Sequence, residues 1–425
     1  MSCVENEVSI RGRLKLNAIR NYTFLLRCGL IVCAKSNYQF MAKNSNLSQA
    51  KAAKNDEFYT QYADIQKEVN AYIEYNLDVF RGKTILLPCD DPEWSNFTKF
   101  FAQNFEFFGL KKLISTSYAI ESKNYKSDWQ PTLFETENPL YNADKSRVKG
   151  KIFTLDHDTN TNGRIDIDDL QWHYLEGDGD FRSAEVTALR DEADIIITNP
   201  PFSLFREFLA WIMAGEKQFL ILGNINAISY KEVFPLIKDN KIWLGPSISS
   251  GDREFMIPQE YMTISPSLRY DEKGNKYVRV PGVRWFTNID HGRRHQPLQL
   301  MSMVDNLRFH KKLKGQSKYY HYDNYNAIDV PFTELVPSDY DGIMGVPVSF
   351  VDKYCPEQFE ILGMTDRDSA LQIKKYTKEQ SPKYSDLNRR GAILINGELI
   401  STYPRILIRH KKTITHESRT QDLHR

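Results

Sequence analysis

The chain has 425 residues, of which 41% are hydrophobic and 26% charged, a balance typical of a globular protein and unlike a disordered or fibrous one. Its 56 Lys and Arg residues face 55 Asp and Glu residues, so a net charge of +1 excludes a global field that would attract a polyanion. Any basic binding surface must therefore be local. The length favours a main domain with one or two added pieces.

Residues 1–50 show no sustained helical or strand period, and we expect a poorly ordered extension there. Within it, residues 23–34 form an apolar run that Arg27 interrupts and that falls short of the roughly 20 residues of a membrane-spanning helix. We expect no targeting signal and no membrane partner. The five cysteines are odd in number and lack the paired spacing of a zinc or redox site, which favours a reducing cytoplasm.

Ordered structure is predicted to begin with an amphipathic helix at residues 57–73. Four apolar runs follow, and their continuous hydrophobicity indicates buried parallel strands, at residues 83–89, 111–119, 193–199 and 219–224. Helical patterns separate most of them. Two of these helices end at a capping glycine, Gly109 and Gly215.

Strand and helix in alternation predict a doubly wound, Rossmann-like α/β sheet over residues 51–245. After residue 245 the alternation fails and turn-rich sequence takes over, followed by basic and aromatic clusters. One strand-like segment remains at residues 283–289. We therefore expect residues 246–425 to hold the remaining sheet strands and a separate recognition region.

A polar loop between Asp158 and Asp169 matches the calcium loop of an EF-hand, with Gly163 at its sixth position. The twelfth position is Asp rather than Glu, and strand-like segments flank the loop where an EF-hand has helices. The pattern favours a polar hairpin or insertion. Calcium binding stays open as the alternative, and no metal site is predicted.

The most specific motif is Asn199-Pro200-Pro201-Phe202, which directly follows a β-branched strand and opens a helix. Two successive prolines fix the backbone, so the Asn199 side-chain oxygen and the Pro200 carbonyl can accept both hydrogens of one amine. Such acceptors would localise a lone pair that is delocalised into a ring, as in adenine N6. Phe202 offers a stacking face for a base turned out of a duplex. In the alternative interpretation, the prolines only end a strand and start a helix.

Asn-Pro-Pro-Phe in this context is the catalytic signature of amino-methyltransferases that act on DNA. Residues 57–62 resemble the Phe-Tyr-Thr-Pro type segment that precedes the cofactor strand in one permutation class of adenine methyltransferases. Three other segments resemble those of EcoRI-type adenine-specific DNA methyltransferases, at residues 89–92, 94–97 and 179–183. The resemblance covers about residues 41–300. It implies a Rossmann-like enzyme that transfers methyl from S-adenosylmethionine to N6 of a flipped-out adenine, as the modification enzyme of a type II restriction-modification system.

The resemblance also implies which residues bind S-adenosylmethionine: Phe58, Tyr59, Thr60, Asp90, Asp91, Asp180 and Phe181. Asp90 ends a strand, where ligands of α/β sheets bind, and suits the amino or ribose groups. Asp180 suits the amine of the cofactor's adenine, with Phe181 on the ring face. A Cys-Asp-Asp-Pro segment replaces the usual glycine-rich loop. The alternatives are a helix-entry turn at Asp90, an ordinary turn at Asp180 and core roles for the aromatic residues.

The basic clusters after residue 245 suggest phosphate contacts with double-stranded DNA, at Arg293, Arg294, Lys311 and Lys312. A solvated charged face is the alternative. No stable protein partner is expected, and a cognate restriction endonuclease acting on the same site stays open. Two other functions also stay open: methylation of RNA adenine or of a protein amide, and DNA binding by a module that has lost catalysis.

Overall fold

The computed structural model describes most of the chain after its first 59 residues: 60–88, 90–91, 95–119, 136, 139–257, 265–366 and 369–411. All described residues belong to one compact unit. The predicted extension at residues 1–50 lies outside them, as do Phe58, Tyr59 and Cys89.

Eight strands build the main sheet: β1 Thr84–Leu87, β2 Lys112–Ser117, β3 Lys151–Leu155, β4 Gln171–Tyr174, β5 Ile195–Thr198, β6 Gln218–Asn224, β7 Trp243–Leu244 and β11 Val283–Thr287. Their order is β4-β3-β2-β1-β5-β6-β11-β7. Strands β2, β1, β5 and β6 pair in parallel, which confirms the four predicted parallel strands. Strand β11 lies antiparallel to β6, so the segment predicted at residues 283–289 does complete the sheet.

Alternate residues of the central strands pack into two different hydrophobic cores, because both faces of the sheet are covered. In β1, Ile85 and Leu87 point to one core and Leu86 to the other. The same division separates Ile195 from Ile196 in β5. Burial on both faces explains why these strands are continuous apolar runs, and it confirms the predicted Rossmann-like α/β class.

Nine α-helices lie in the described residues: α1 Tyr62–Tyr75, α2 Asn96–Gln103, α3 Phe105–Phe108, α4 Ala143–Val148, α5 Ala184–Glu192, α6 Phe205–Ala214, α7 Phe234–Lys238, α8 Met303–Phe309 and α9 Tyr384–Arg389. The helix predicted at residues 57–73 begins later, after Gln61. Gly109 closes α3 in the left-handed region, with φ +63°, where glycine is favoured. Within the described ranges, no helix is long and apolar enough to cross a membrane.

The region after residue 245 adds smaller sheets: β8 Asp252–Ile257, β9 Arg269–Tyr270 and β10 Lys276–Pro281 form one, β12 Ala327–Asp329, β13 Ile343–Pro347, β14 Phe359–Met364 and β17 Arg405–His410 a second, and β15 Ala392–Ile395 and β16 Glu398–Ser401 a third. Phe255 and Val278 of the first sheet share a core with β1. Met344 and Ile408 of the second share the core on the opposite face. The functional division at residue 245 stays a prediction, since both parts pack into common cores.

The loop from Asp158 to Asp169 joins β3 and β4, which pair antiparallel, so the predicted hairpin is confirmed. Its carboxylates are bound by the loop itself. Asp158 accepts from the Gly163 N–H at 2.7 Å, and Asp169 accepts from the N–H groups of Thr159 at 2.8 Å and Asp166 at 3.0 Å. In the ranges the structure describes, no three His, Cys, Asp or Glu side chains are grouped for a metal ion.

We therefore expect a chelator to leave the melting temperature unchanged, because the loop carboxylates already have hydrogen-bond donors. Thermal unfolding with chelator and with added calcium measures this. A higher melting temperature in calcium would contradict it, since a ligand that binds only the folded state stabilises that state.

Candidate active site

Three of the predicted site segments meet at the carboxyl edge of the parallel strands. Asp90 follows β1, and Asn199 follows the neighbouring β5. The turn before Asp180 lies against the end of β2, where a Cβ on Gly179 would stand 2.3 Å from the Ser117 carbonyl oxygen. Only glycine permits this approach, and its φ of +86° lies in the left-handed region. Ligands of open α/β sheets bind at this edge.

The predicted tetrapeptide, Asn199 to Phe202, connects the end of β5 to a short 3₁₀ turn, Phe202–Leu204, that leads into α6. Pro200 is buried, and the oxygen of the half-buried Asn199 side chain is buried too. The Phe202 ring meets Phe255 of β8 edge to face, with centroids 6.4 Å apart. The three-stranded sheet therefore helps to fix the plane of the Phe202 ring.

Asp90 is buried, and both of its carboxyl oxygens lie against hydroxyl groups of the protein. Ser95 Oγ donates to Oδ1 at 2.7 Å, and Thr198 Oγ1 lies 2.5 Å from Oδ2. Burial raises the pKa of Asp90 to about 7, although these two hydrogen bonds oppose the shift. The predicted contact between Asp90 and a cofactor would compete with these bonds, so the structure gives this residue a different set of partners.

Thr60 lies at the same edge, because Asn96 Nδ2 donates to its carbonyl oxygen at 2.7 Å and Asn96 is the first residue of α2. The Thr60 hydroxyl oxygen is buried and has no hydrogen-bond partner within the described residues. An unsatisfied buried hydroxyl costs about 1–3 kcal/mol, which a bound ligand would recover. Asp91 is half-buried beside Asp90. These groups fit a polar ligand such as the predicted cofactor.

Asp180 and Phe181 differ in how far a bound cofactor could reach them: the Asp180 side chain is partly exposed, whereas Phe181 is buried. Arg182 pairs with Asp180 through its Nη2 at 2.6 Å, and this hydrogen bond lowers the pKa of the carboxyl. The Phe181 ring is only 3% exposed and packs edge-on against Phe208 of α6, with centroids 4.9 Å apart. Since it belongs to the core, we do not carry Phe181 into the proposed cofactor contacts.

The first pair of predicted phosphate contacts is engaged inside the protein. Arg294 is buried, donates to Asn240 Oδ1 at 2.5 Å and lies 3.8 Å from the centroid of the Trp243 ring. Arg293 is half-buried, and its Nη1 donates to the Pro246 carbonyl at 2.5 Å. Arg294 thus has structural partners, and we do not carry it into a proposed DNA interface.

The second pair lies on a 3₁₀ turn after α8 and is exposed. Lys312 pairs with Glu334 at 2.6 Å and sits 3.8 Å from the centroid of the Phe332 ring. The side chain of Lys311 has no ion-pair partner within the described residues. Of the four predicted contacts, Lys311 therefore combines an exposed side chain with no ion pair among the described residues.

Sequence reasoning missed Thr198 and the role of Ser95, both of which bind Asp90. Ser95 had a signal: it caps α2, since its hydroxyl also accepts from the Phe97 N–H at 3.1 Å. The only sequence signal for Thr198 is its position directly before Asn199. A β-branched residue at the end of a strand does not by itself predict a hydrogen bond to Asp90.

A mixed α/β sheet with four parallel central strands, and with Asn-Pro-Pro-Phe at their carboxyl edge beside a buried acidic turn, defines a Rossmann-like amino-methyltransferase. The model of the family described as adenine-specific methyltransferase EcoRI matches residues 46–411, and the chain belongs to this family. The match confirms the resemblance found in the sequence and extends it through the C-terminal sheets.

Curated relatives agree with the family. The chain is 39% identical over 337 residues to the Type II methyltransferase M.EcoRI of Escherichia coli, covering 78% of this chain and 94% of the relative. It is 33% identical to M.MpnI of Mycoplasma pneumoniae, covering 74% and 84%. M.MgeORF184P of Mycoplasma genitalium is also 33% identical, with 75% and 85% covered. No solved structure matches the chain.

Proposed function

We propose that this protein transfers a methyl group from S-adenosylmethionine to N6 of adenine in duplex DNA, as the modification enzyme of a type II restriction-modification system. The proposal rests on the position of Asn199 to Phe202 at the carboxyl edge, where the neighbouring strand β1 leads into Asp91. A DNA substrate implies the cytoplasm as the place of action. A cognate endonuclease would cut the same site in unmethylated DNA.

The chemistry of these residues is the withdrawal of a lone pair from a ring. Asn199 Oδ1 and the Pro200 carbonyl accept the two hydrogens of the amine, which raises electron density on its nitrogen. Phe202 stacks on the extruded base and holds it in plane. The amine loses its extra proton to water after transfer, so these residues need no general base beside them.

S-adenosylmethionine supplies a methyl group on a sulfonium centre. We assign its polar groups to Thr60, Asp91 and Asp180, which lie along the carboxyl edge. Phe58 and Tyr59, outside the described residues, are proposed to close over the sulfonium, because a cation favours aromatic faces.

The decisive experiment incubates the protein with labelled S-adenosylmethionine and a set of duplex DNAs, then identifies the modified nucleoside. N6-methyladenine, with protection of the DNA from a nuclease of the same specificity, is the expected product. Label in RNA or protein instead would favour the alternative substrates. Cofactor binding without transfer to any DNA would favour an inactive module.

Lys311 and Arg293 are our proposed phosphate contacts, together with Lys312, which follows Lys311 on the same 3₁₀ turn. Changing Lys311 to Ala should weaken binding to all DNA sequences alike and reduce the log-log salt slope by about 1, because one phosphate contact is lost. Lys238→Ala, which removes an exposed lysine of α7, is the matched control and should leave the slope unchanged. A wild-type slope for Lys311→Ala would leave Lys311 as a solvated charge.

A further inference from the structure

Asp90 connects three elements around the residue that precedes the catalytic tetrapeptide. Its side chain contacts Ser95 at the start of α2 and Thr198 at the end of β5. Its carbonyl oxygen accepts from Thr98 Oγ1 of α2 at 3.0 Å and from Ser115 Oγ of β2. All four hydroxyl residues are buried. Asp90 therefore links the end of β5, at the residue before Asn199, to α2 and β2.

When Asp90 is ionised, Thr198 has two neighbouring hydrogen-bond acceptors but only one hydroxyl hydrogen to donate. The single hydroxyl hydrogen of Thr198 lies within reach of two acceptors, Asp90 Oδ2 at 2.5 Å and the Pro88 carbonyl at 2.9 Å. A protonated Asp90 can donate to Thr198, which then donates to Pro88, so both bonds form at once. Ser95 donates to the other carboxyl oxygen in either state.

We infer that Asp90 is a positioning residue that, in its neutral form, clamps Thr198 and so fixes the Asn199 and Pro200 acceptors for methyl transfer. This inference rests on the proposed function and adds a pH dependence to the same site. Ionisation removes the donor to Thr198 and frees the hydroxyl to turn away from Pro88. The acceptors then lose their fixed geometry.

The surroundings of Asp90 favour the neutral form. The groups that contact it from α2, β2 and β5 are hydroxyls, and the charged group that acts on it is Asp91. No Lys or Arg pairs with Asp90 in the part of the chain that the structure describes. Burial and this like charge raise its pKa to about 7, so ionisation falls within the working range.

The test measures single-turnover methyl transfer against pH, with saturating cofactor and DNA. In the wild type the rate should fall by roughly tenfold per pH unit above about 7, as the neutral form is lost, and should level off at the rate of the enzyme without the clamp. Asp90→Asn keeps both hydrogen bonds, because its amide donates to Thr198 and its oxygen accepts from Ser95. This variant should retain activity at pH 6.5 and lose the alkaline decline.

Two further variants remove the clamp. Asp90→Ala and Thr198→Val should lower the rate by roughly 10- to 100-fold below pH 7, because a small displacement of catalytic groups is costly, and the difference from wild type should shrink as pH rises and the wild type loses the same clamp. Cofactor affinity should remain near the wild-type value for both. A rise in cofactor Kd with an unaltered rate would overturn the inference and make Asp90 a cofactor ligand.

Glu68→Gln is the matched control, since Glu68 of α1 is a second buried carboxyl whose pKa burial raises to about 7. Its partners are Tyr72 and Ser247, away from the tetrapeptide, so the control should keep the wild-type pH profile of transfer. An alkaline decline that persists in Asp90→Asn, or disappears in Glu68→Gln, would refute the inference.

A stability measurement separates this inference from the proposed function. Because the folded pKa of Asp90 lies above its usual value of 3.8, its contribution to stability is full below about pH 4 and is lost as pH rises through 7. The difference in unfolding free energy between wild type and Asp90→Asn should change over that window. This result stands even if no DNA is methylated, and an unchanged difference would show that Asp90 is not neutral.

Discussion

Asn199→Ala is expected to lower methyl transfer by roughly 100-fold or more, because losing one preorganised acceptor typically costs that much. The side-chain oxygen is buried at the carboxyl edge, where water cannot easily replace it. Cofactor affinity should stay near the wild-type value, since Asn199 is proposed to touch the base. Single-turnover transfer and cofactor titration measure the two effects separately.

Two comparison variants make this result specific. Asn199→Asp keeps an acceptor oxygen in place and should lose less activity than the alanine variant. Asn104→Ala removes a half-buried asparagine that donates to the Phe100 carbonyl at 2.8 Å, away from the site, and should methylate like the wild type. If Asn199→Ala keeps more than roughly a tenth of the wild-type rate, Asn199 is not the acceptor.

The four parallel strands of the main sheet could be predicted from the sequence because they are buried on both faces. Ile195 and Ile197 pack into one core and Ile196 into the other. Such burial on both faces requires a continuous apolar run, whereas a strand with one face in water alternates apolar and polar residues. The tetrapeptide was equally clear, since a strand before it and a helix after it place it at the carboxyl edge. These features are local in sequence.

The partners of the site residues could not be predicted because they come from distant segments. Asp90 and Thr198 lie 108 positions apart and meet only because β1 and β5 are neighbours. The charge of Arg294 suggests a phosphate contact when only the sequence is known. Its hydrogen-bond partner Asn240 lies 54 positions away and cannot be identified from the sequence. Charge alone cannot distinguish a residue that faces a phosphate from one that holds two segments together.

The same limit applies to a buried ion pair between Arg284 of β11 and Asp352, which no sequence pattern indicates. Arg284 Nε donates to Asp352 Oδ1 at 2.9 Å, and the two side chains are only 6% and 7% exposed. Arg284 also donates to the Ser249 carbonyl at 2.8 Å. The pair therefore joins the main sheet to the segment after β13 and to the loop before β8.

Asp352→Ala is expected to lower the unfolding free energy by about 3–5 kcal/mol, because removing one partner leaves a buried guanidinium charge without compensation. Glu398→Ala is the matched control. Its partner Lys383 lies at 3.4 Å, but both side chains are more than 60% exposed, so its loss should cost at most about 1 kcal/mol. Urea unfolding of both variants measures the difference. If the two variants lose equal amounts of unfolding free energy, water must reach and solvate Arg284. The ion pair would then not be what holds the segment after β13 to the main sheet.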